Sequence, residues 1–276
     1  MLGHRLWQTL SLQHETFGTV RGRADADARH RAVDRSQIVE GVRADDLRSV
    51  EGALDAVRPE VVVNCIGLVK QLDAAFRPED SILVNGLFPQ QLATRCQERG
   101  VRLIHLSTDC VFSGKRGGYR EVDEPDPVDL YGRSKLVGEV VRDGCLTLRT
   151  SMIGREQGSA HGLVEWFLAQ RGKTVQGYQR AVFSGLTTDA LATVIAATIE
   201  RHPDLSGLWH VAAEPIDKYT LLGLVNAAYG ADVTIEPSST FFCDRSLDGS
   251  RFREATGLVA PSWPTMIAQM ASLDGR

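Results

Sequence analysis

The segment Val61-Val62-Val63-Asn64-Cys65-Ile66, set off by Pro59, restricts the fold more than any other stretch of this chain. A strand with one face in water alternates apolar and polar residues. An unbroken β-branched run fits a strand covered on both faces, the situation of parallel sheets flanked by helices. Val101 to Leu106 and Cys145 to Leu148 read the same way. Between them the apolar residues fall at helical spacing. Leu47, Val50, Leu54 and Val57 share one face of a helix over Asp45 to Val57, and Ile82, Leu83, Leu87, Leu92 and Cys96 are available for burial on a helix over Ser81 to Cys96. A further helix runs from Leu130 to Val141. Strand and helix in alternation predict right-handed crossovers and a parallel sheet, hence an α/β fold. Short strands are expected at Glu15 to Val20 and Ile38 to Val42, with a solvated loop over Arg21 to Ser36. The last third is more mixed, with helices over Thr188 to Arg201 and Tyr219 to Tyr229, strands over Leu208 to Ala212 and Val233 to Glu236, and a final helix from Trp263.

Composition narrows the function classes. Against 31 Lys and Arg stand 35 Asp and Glu, a formal net charge of −4, so the basic surplus of a nucleic-acid binder is missing. No apolar run is long enough to span a bilayer, and no leader with a cleavage site is expected. Cys65, Cys96, Cys110, Cys145 and Cys243 form no C-x-x-C pair and read as free thiols of a reducing compartment. A cytoplasmic protein without a metal site is the expectation.

Lysine is scarce, 5 against 26 arginines. Lys135 nevertheless stands four residues after Tyr131, a pairing that chance would place about 0.1 times in a chain of this composition. On a helix the two share a face. An ammonium beside a phenol favours phenolate, and a tyrosine so tuned can exchange a proton near neutral pH. An exposed helical pair without consequence is the competing reading of the same spacing. His105-Leu106-Ser107-Thr108-Asp109 also places hydroxyls at the carboxyl end of a strand, where open parallel sheets bind their ligands.

These residues belong to a longer ordered pattern. It runs through Asn64-Cys65-Ile66-Gly67, Val84-Asn85, Thr108-Asp109-Cys110-Val111-Phe112-Ser113-Gly114, Tyr119, Glu121, Pro127, Tyr131-Gly132, Ser134-Lys135 and Gly138-Glu139. Leu148-Arg149-Thr150-Ser151, Arg245-Ser246-Leu247-Asp248 and Pro261-Ser262-Trp263 complete it. The pattern resembles the extended short-chain dehydrogenase/reductase superfamily, and within it the dTDP-4-dehydrorhamnose reductase family of sugar-nucleotide reductases. The resemblance implies a Rossmann-like doubly wound parallel sheet. Residues 1–150 would form the dinucleotide-binding domain and 151–276 mainly a smaller mixed substrate lobe, with later segments returning to the sheet. It implies NADPH-dependent reduction of the 4-keto group of a nucleotide-activated deoxysugar in surface polysaccharide biosynthesis. NADH is the alternative cofactor. The implied partner is a nucleotide-sugar substrate, with no nucleic acid or membrane and with room for a homodimer.

Carried over residue by residue, the resemblance makes Thr108, Tyr131 and Lys135 catalytic. Tyr131 would protonate the carbonyl oxygen, Thr108 would hold that oxygen, and Lys135 would bind the nicotinamide ribose and depress the tyrosine pKa. Cofactor contacts fall on Met1, Leu2, Gly3, Arg21, Asn64, Cys65, Ile66, Gly67, Asn85, Ser107 and Thr150, besides Tyr131 and Lys135. Substrate contacts fall on Lys70, Thr108, Ser151 and Arg245. Ser107 alternates to the other side of the strand, so a hydroxyl bonded to backbone competes with a cofactor role. Asn85 braces the site or caps local backbone. Arg21 and Arg23 suit a 2′-phosphate, and the nearby Asp25 keeps NADH open. Asp45 or Asp46 meets adenine or starts the next helix as its N-cap.

The resemblance also implies a strand and two glycines ahead of Met1. Gly3 matches the third glycine of a G-x-x-G-x-x-G turn, where the first helix packs closely on the sheet. A start upstream of Met1 is therefore expected. For the chain as it stands the expectation is weak cofactor binding, poor solubility and unpaired backbone groups on two strands. Two other readings compete. A redox-neutral epimerase or dehydratase shares the superfamily, but Thr108 is followed by one acid, Asp109, where a dehydratase wants an acidic pair. A non-catalytic NADP-binding regulatory subunit would not need the complete Thr108, Tyr131 and Lys135 set.

Overall fold

Residues 1–23, 35–69, 77–156 and 162–274 are described by a computed structural model of the chain. The first helix, α1 (Leu2–Leu10), leads to β1 (Gly18–Thr19) and β2 (Ile38–Val39), which pair in parallel. Helix α2 (Leu47–Val57) starts at Asp46, whose carboxylate accepts from the Arg48 N–H, and ends at Arg58 in the left-handed region. After β3 (Val61–Asn64) comes a long helical stretch: α3 (Pro78–Ser81), a π-helical turn (Ile82–Leu87) and α4 (Phe88–Gln97). Strand β4 (Arg102–Leu106), helix α5 (Leu130–Val137) and β5 (Cys145–Arg149) follow. The remainder contributes β6 (Met152–Ile153), α6 (Leu163–Leu168), β7 (Thr174–Tyr178), β8 (Ala181–Phe183), β9 (Leu186–Thr187) and α7 (Thr188–Arg201). It continues with β10 (Gly207–His210), β11 (Ile216–Asp217), α8 (Lys218–Tyr229), β12 (Thr234–Ser238), β13 (Cys243–Asp244), α9 (Ser250–Thr256) and α10 (Trp263–Asp274).

Four strands form an all-parallel central sheet in the order β10-β5-β4-β3, so the last third of the chain returns to complete the first half's sheet. The β1-β2 pair is a separate sheet, and β1 and β3 each carry a ladder on one side only among the described residues. Small sheets β11-β8-β13, β12-β7 and β6-β9 make up the mixed part. No described helix is long and apolar enough to cross a membrane.

The register of β4 on β5 sets Leu103 against Cys145, Ile104 against Leu146, His105 against Thr147 and Leu106 against Leu148. Side chains alternate between faces along a strand. The even positions enter one core with Leu2 and Leu6 of α1, Leu191 and Ile195 of α7, Leu221 of α8 and Met266 of α10. Leu103 and Cys145 enter another with Val50 and Leu54 of α2 and Phe88, Leu92 and Cys96 of α4. Each fully buried Leu contributes about 1.5–3 kcal/mol of transfer free energy. Toward the carboxyl ends the second face turns polar: Asn64, His105, Ser107, Thr147 and Arg149 are all buried there.

The long helical stretch departs from the regular period. Ile82 and Leu87 are 53% and 46% exposed, whereas Asn85 and Gly86 point inward. The burial expected for Ile82 and Leu87 is overturned by the π-turn, in which the Phe88 N–H donates to the Leu83 carbonyl five residues back and the apolar face rotates. Pro89 has no N–H to offer the Asn85 carbonyl, the partner a regular helix would require. That carbonyl lies instead against Gly138, where a Cβ would come within 1.9 Å of it. The helix expected to reach Val141 ends at Val137, with Gly138 as its C-cap.

Candidate active site

The site forms where β3 and β4 end against α5. Thr108 follows β4 and caps a single turn over Asp109–Val111, its hydroxyl accepting from the Cys110 N–H at 3.1 Å. The same hydroxyl donates to the buried Asp109 carboxylate at 3.3 Å. Asp129 caps α5 by accepting from the Gly132 N–H at 2.7 Å. Gly132 rests on the Cys110 carbonyl, and a Cβ there would come within 2.2 Å of that oxygen, so only glycine lets the helix lie this close. The close approach brings Tyr131 beside Thr108, whose hydroxyl acts on its phenol. One turn on, Lys135 is buried and its Nζ donates to the Leu106 carbonyl at 2.5 Å.

The loop after β3 passes over this lysine. Asn64 accepts from the Ile66 N–H at 3.0 Å and donates its amide to His105 Nδ1 at 3.1 Å. Asn85 accepts from the Leu68 N–H at 2.9 Å and donates to the Leu68 carbonyl at 3.0 Å and to Ser134 Oγ at 3.2 Å. Gly67 lies between: a Cβ there would sit 3.3 Å from Asn85 Oδ1 and 3.9 Å from Lys135 Nζ. Gly3 of α1 faces Cys65, with 3.8 Å between a Cβ placed on it and the cysteine Cβ.

Burial governs the electrostatics. It pushes the Lys135 ammonium down to about 8, against the opposing pull of Glu139 and Cys65. It pushes the Tyr131 phenol well above its ordinary value; Cys110, Asp109 and Asp129 act in the same direction and the Thr108 hydrogen bond opposes them. This runs against the expectation that Lys135 depresses the phenol: desolvation is the leading cause, it favours the protonated form, and Lys135 is not among the groups that act on Tyr131. Burial also raises the Asp109 carboxyl, with Arg245 and Lys218 pulling the other way.

The other expected residues divide. Arg245 joins the site, its Nε donating to the Phe112 carbonyl at 2.9 Å and its Nη1 to Cys110 Sγ at 3.6 Å. Thr150 is buried and its hydroxyl donates to the Ser151 carbonyl at 3.3 Å. Ser107 bonds neither backbone nor open cleft: its hydroxyl donates to the Glu139 carboxylate at 2.6 Å. The polar atoms of Asn85 are engaged by Leu68 and Ser134, so it braces the loop. Leu2 is buried in the core, while Met1 and Arg21 are exposed. Asp46 is an N-cap, and Asp45 accepts two bonds from Arg43, at 2.9 and 2.5 Å, with Arg21 close enough to act on its carboxylate. Lys70 and Asp25 lie outside the described residues.

Lys218 escaped the sequence reading. At the start of α8 its Nζ sits 4.0 Å from the centre of the Phe183 ring, and its charge reaches Asp109. The rarity of lysine was the available signal.

Comparison with known proteins follows the same lines. The family model described as RmlD substrate binding domain matches residues 2–272. A probable low-salt glycan biosynthesis reductase of Haloferax volcanii is 31% identical over 247 residues, covering 83% of this chain and 81% of its own length. The dTDP-4-dehydrorhamnose reductase of Salmonella typhimurium is 26% identical, covering 82% and 84%. Among solved structures, the dTDP-4-dehydrorhamnose reductase of Bacillus anthracis in complex with NADP superposes with a TM-score of 0.75 at 21% identity, covering 88% of this chain and 93% of that one. That last likeness establishes the fold.

Proposed function

This chain belongs to the RmlD substrate binding domain family, and on that premise we propose that it reduces the 4-keto group of a nucleotide-activated deoxysugar with NADPH. The observation that carries the reading is the placement of Tyr131 beside Thr108, with the buried Lys135 one helical turn behind it and bonded to the Leu106 carbonyl. The named reductases among the relatives support the reaction class, and the glycan-biosynthesis relative supports a role in surface polysaccharide synthesis.

The residues present fit a nicotinamide cofactor. Gly67 puts no side chain between Asn85 and Lys135, where a Cβ would already crowd Asn85, and Asn64 and Asn85 hold the Cys65-to-Leu68 loop by hydrogen bonds. Bound there, the reduced nicotinamide would supply hydride. Tyr131, held protonated, donates its proton to the carbonyl oxygen as negative charge develops on it. Thr108 orients that oxygen through its hydroxyl. Lys135 Nζ has donors beyond the one given to Leu106, and these suit ribose hydroxyls. Arg245 and Lys218 offer cations to the substrate diphosphate, with Ser151 and Lys70 as further substrate contacts. Arg21 and Arg23 favour a 2′-phosphate and so NADPH over NADH. In this reading residues 1–150 bind the cofactor, residues 151–276 mainly bind the substrate, and the enzyme works in the cytoplasm.

NADPH oxidation followed with a panel of nucleotide-linked 4-keto-6-deoxysugars tests the proposal. Oxidation by the wild type, lowered about 10²–10⁴-fold in Tyr131→Phe, is the expected result. Substrate turnover without NADPH oxidation would replace it with a redox-neutral reaction. Folded protein that binds NADPH and turns over nothing would favour a regulatory role.

A further inference from the structure

The proposed chemistry leaves a buried ion pair unused. Glu139, just beyond α5, accepts from Ser107 Oγ at 2.6 Å and from Arg149 Nε at 2.7 Å through one oxygen, and from Arg149 Nη2 at 2.8 Å through the other. The two charged side chains are 7% and 3% exposed. Arg149 Nη1 in turn lies 3.4 Å from His210 Nε2, and His210 Nδ1 donates to the Tyr119 carbonyl at 3.0 Å. That carbonyl also accepts from the Asp248 N–H at 2.7 Å, and the Tyr119 N–H donates to the Ser246 carbonyl at 2.9 Å. The contacts therefore run unbroken from the helix of Tyr131 and Lys135, past the residues next to Thr108 and Thr150, to the segment that carries Arg245.

Stability alone is a poor reason for such a pair. Taking both charges out of water costs several kcal/mol, and well-packed apolar residues of similar volume serve a core as well or better. What a bidentate guanidinium–carboxylate pair adds is a fixed direction. We propose that Glu139 is a positioning residue: through Ser107 and Arg149 it sets Thr108, Lys135 and Arg245 in their catalytic relation. Its charge acts on Lys135 as well; the other titratable groups that interact with that ammonium are Cys65 beyond β3 and His105 on β4. Among the charged groups there, Glu139 is the anion that favours the ammonium form.

The inference rests on the reductase reading, and two kinds of measurement separate their failures. Glu139→Gln keeps an acceptor for Ser107 and removes the charge, while Glu139→Gln combined with Arg149→Met removes the pair together. Carbon-13-labelled lysine gives only five signals to follow, with Lys135 assigned by its loss in Lys135→Met. Its titration midpoint is expected to fall by roughly one pH unit in Glu139→Gln. In the NADPH assay both variants are expected to lose kcat about tenfold or more with KM nearly unchanged, and the alkaline limb of the profile moves to lower pH. The double variant regains the wild-type melting temperature without regaining kcat. An unmoved lysine midpoint overturns the inference whether or not the protein reduces a sugar. So does kcat that recovers together with melting temperature in the double variant. Absence of NADPH oxidation by the wild type, with the lysine midpoint displaced as expected, would instead count against the reductase reading alone.

Discussion

On one face of the central sheet Ile104, Leu106, Leu146 and Leu148 meet α1 and α7 in an apolar layer; on the other, one residue along each strand, His105, Ser107, Thr147 and Arg149 are as fully buried yet polar. The backbone is the same and the strands are the same. The apolar layer is held by a force proportional to area and indifferent to direction, so it fixes that the sheet and helices pack. The polar layer is held by hydrogen bonds that fail beyond a few tenths of an ångström or a few tens of degrees, so it fixes where each strand end sits. The face that specifies position is the one that carries Ser107 and Arg149, the sequence neighbours of Thr108 and Thr150.

Several substitutions would break or sharpen that contrast. The largest loss of stability is expected from Arg149→Met alone, which leaves the Glu139 carboxylate buried without its counter-charge and costs about 3–5 kcal/mol in urea unfolding. Activity of the folded fraction should fall with it. On the apolar face Leu148→Ala, at a fully buried position, should cost about 3 kcal/mol while the folded fraction keeps its kcat. Equal damage to kcat from both would erase the distinction.

A pH series probes the polar face without mutation. Burial, with Arg149 adding to it, holds the His210 imidazole down at about 4 against an ordinary 6.5. The unfolded chain therefore takes up this proton first as pH falls. Stability is intact above pH 6.5 and declines through the window down to about 4, by up to about 3 kcal/mol. Melting temperatures across that window should show the decline in the wild type and a flatter profile in His210→Gln. The smallest effect is expected at Thr147, whose hydroxyl donates to the Val140 carbonyl at 2.6 Å and accepts its N–H at 3.2 Å. Thr147→Val matches the shape and leaves both backbone groups unsatisfied, at about 1–3 kcal/mol by chemical denaturation. A neutral outcome would mean that the polar layer tolerates repacking as the apolar one does.

Much of the frame was legible in the chain itself. The unbroken run at Val61 and the strand-and-helix alternation foretold the parallel sheet, because burial on both faces admits few other patterns. The Tyr131–Lys135 spacing and the hydroxyls at a strand end were legible because both are local, and the family resemblance joined them into one expected site. Other features were not. The turn at Ile82–Leu87 broke the assumption of a constant helical period: Pro89 cannot bond the Asn85 carbonyl, which packs instead against Gly138, far away in sequence. The phenol of Tyr131 was expected to ionise more easily and instead is held protonated, since spacing reveals a neighbouring charge and says nothing of desolvation.

Residue order by itself determined which main segments had to become strands or helices, which follows from backbone sterics and apolar spacing over a few residues, and it offered Asp46 as one possible helix start. Only the tertiary structure decided whom the buried polar groups meet. Ser107, Glu139, Arg149 and His210 find one another through sheet register and helix packing, and a hydrogen bond is defined by distance and angle in space, which no local pattern of residues encodes.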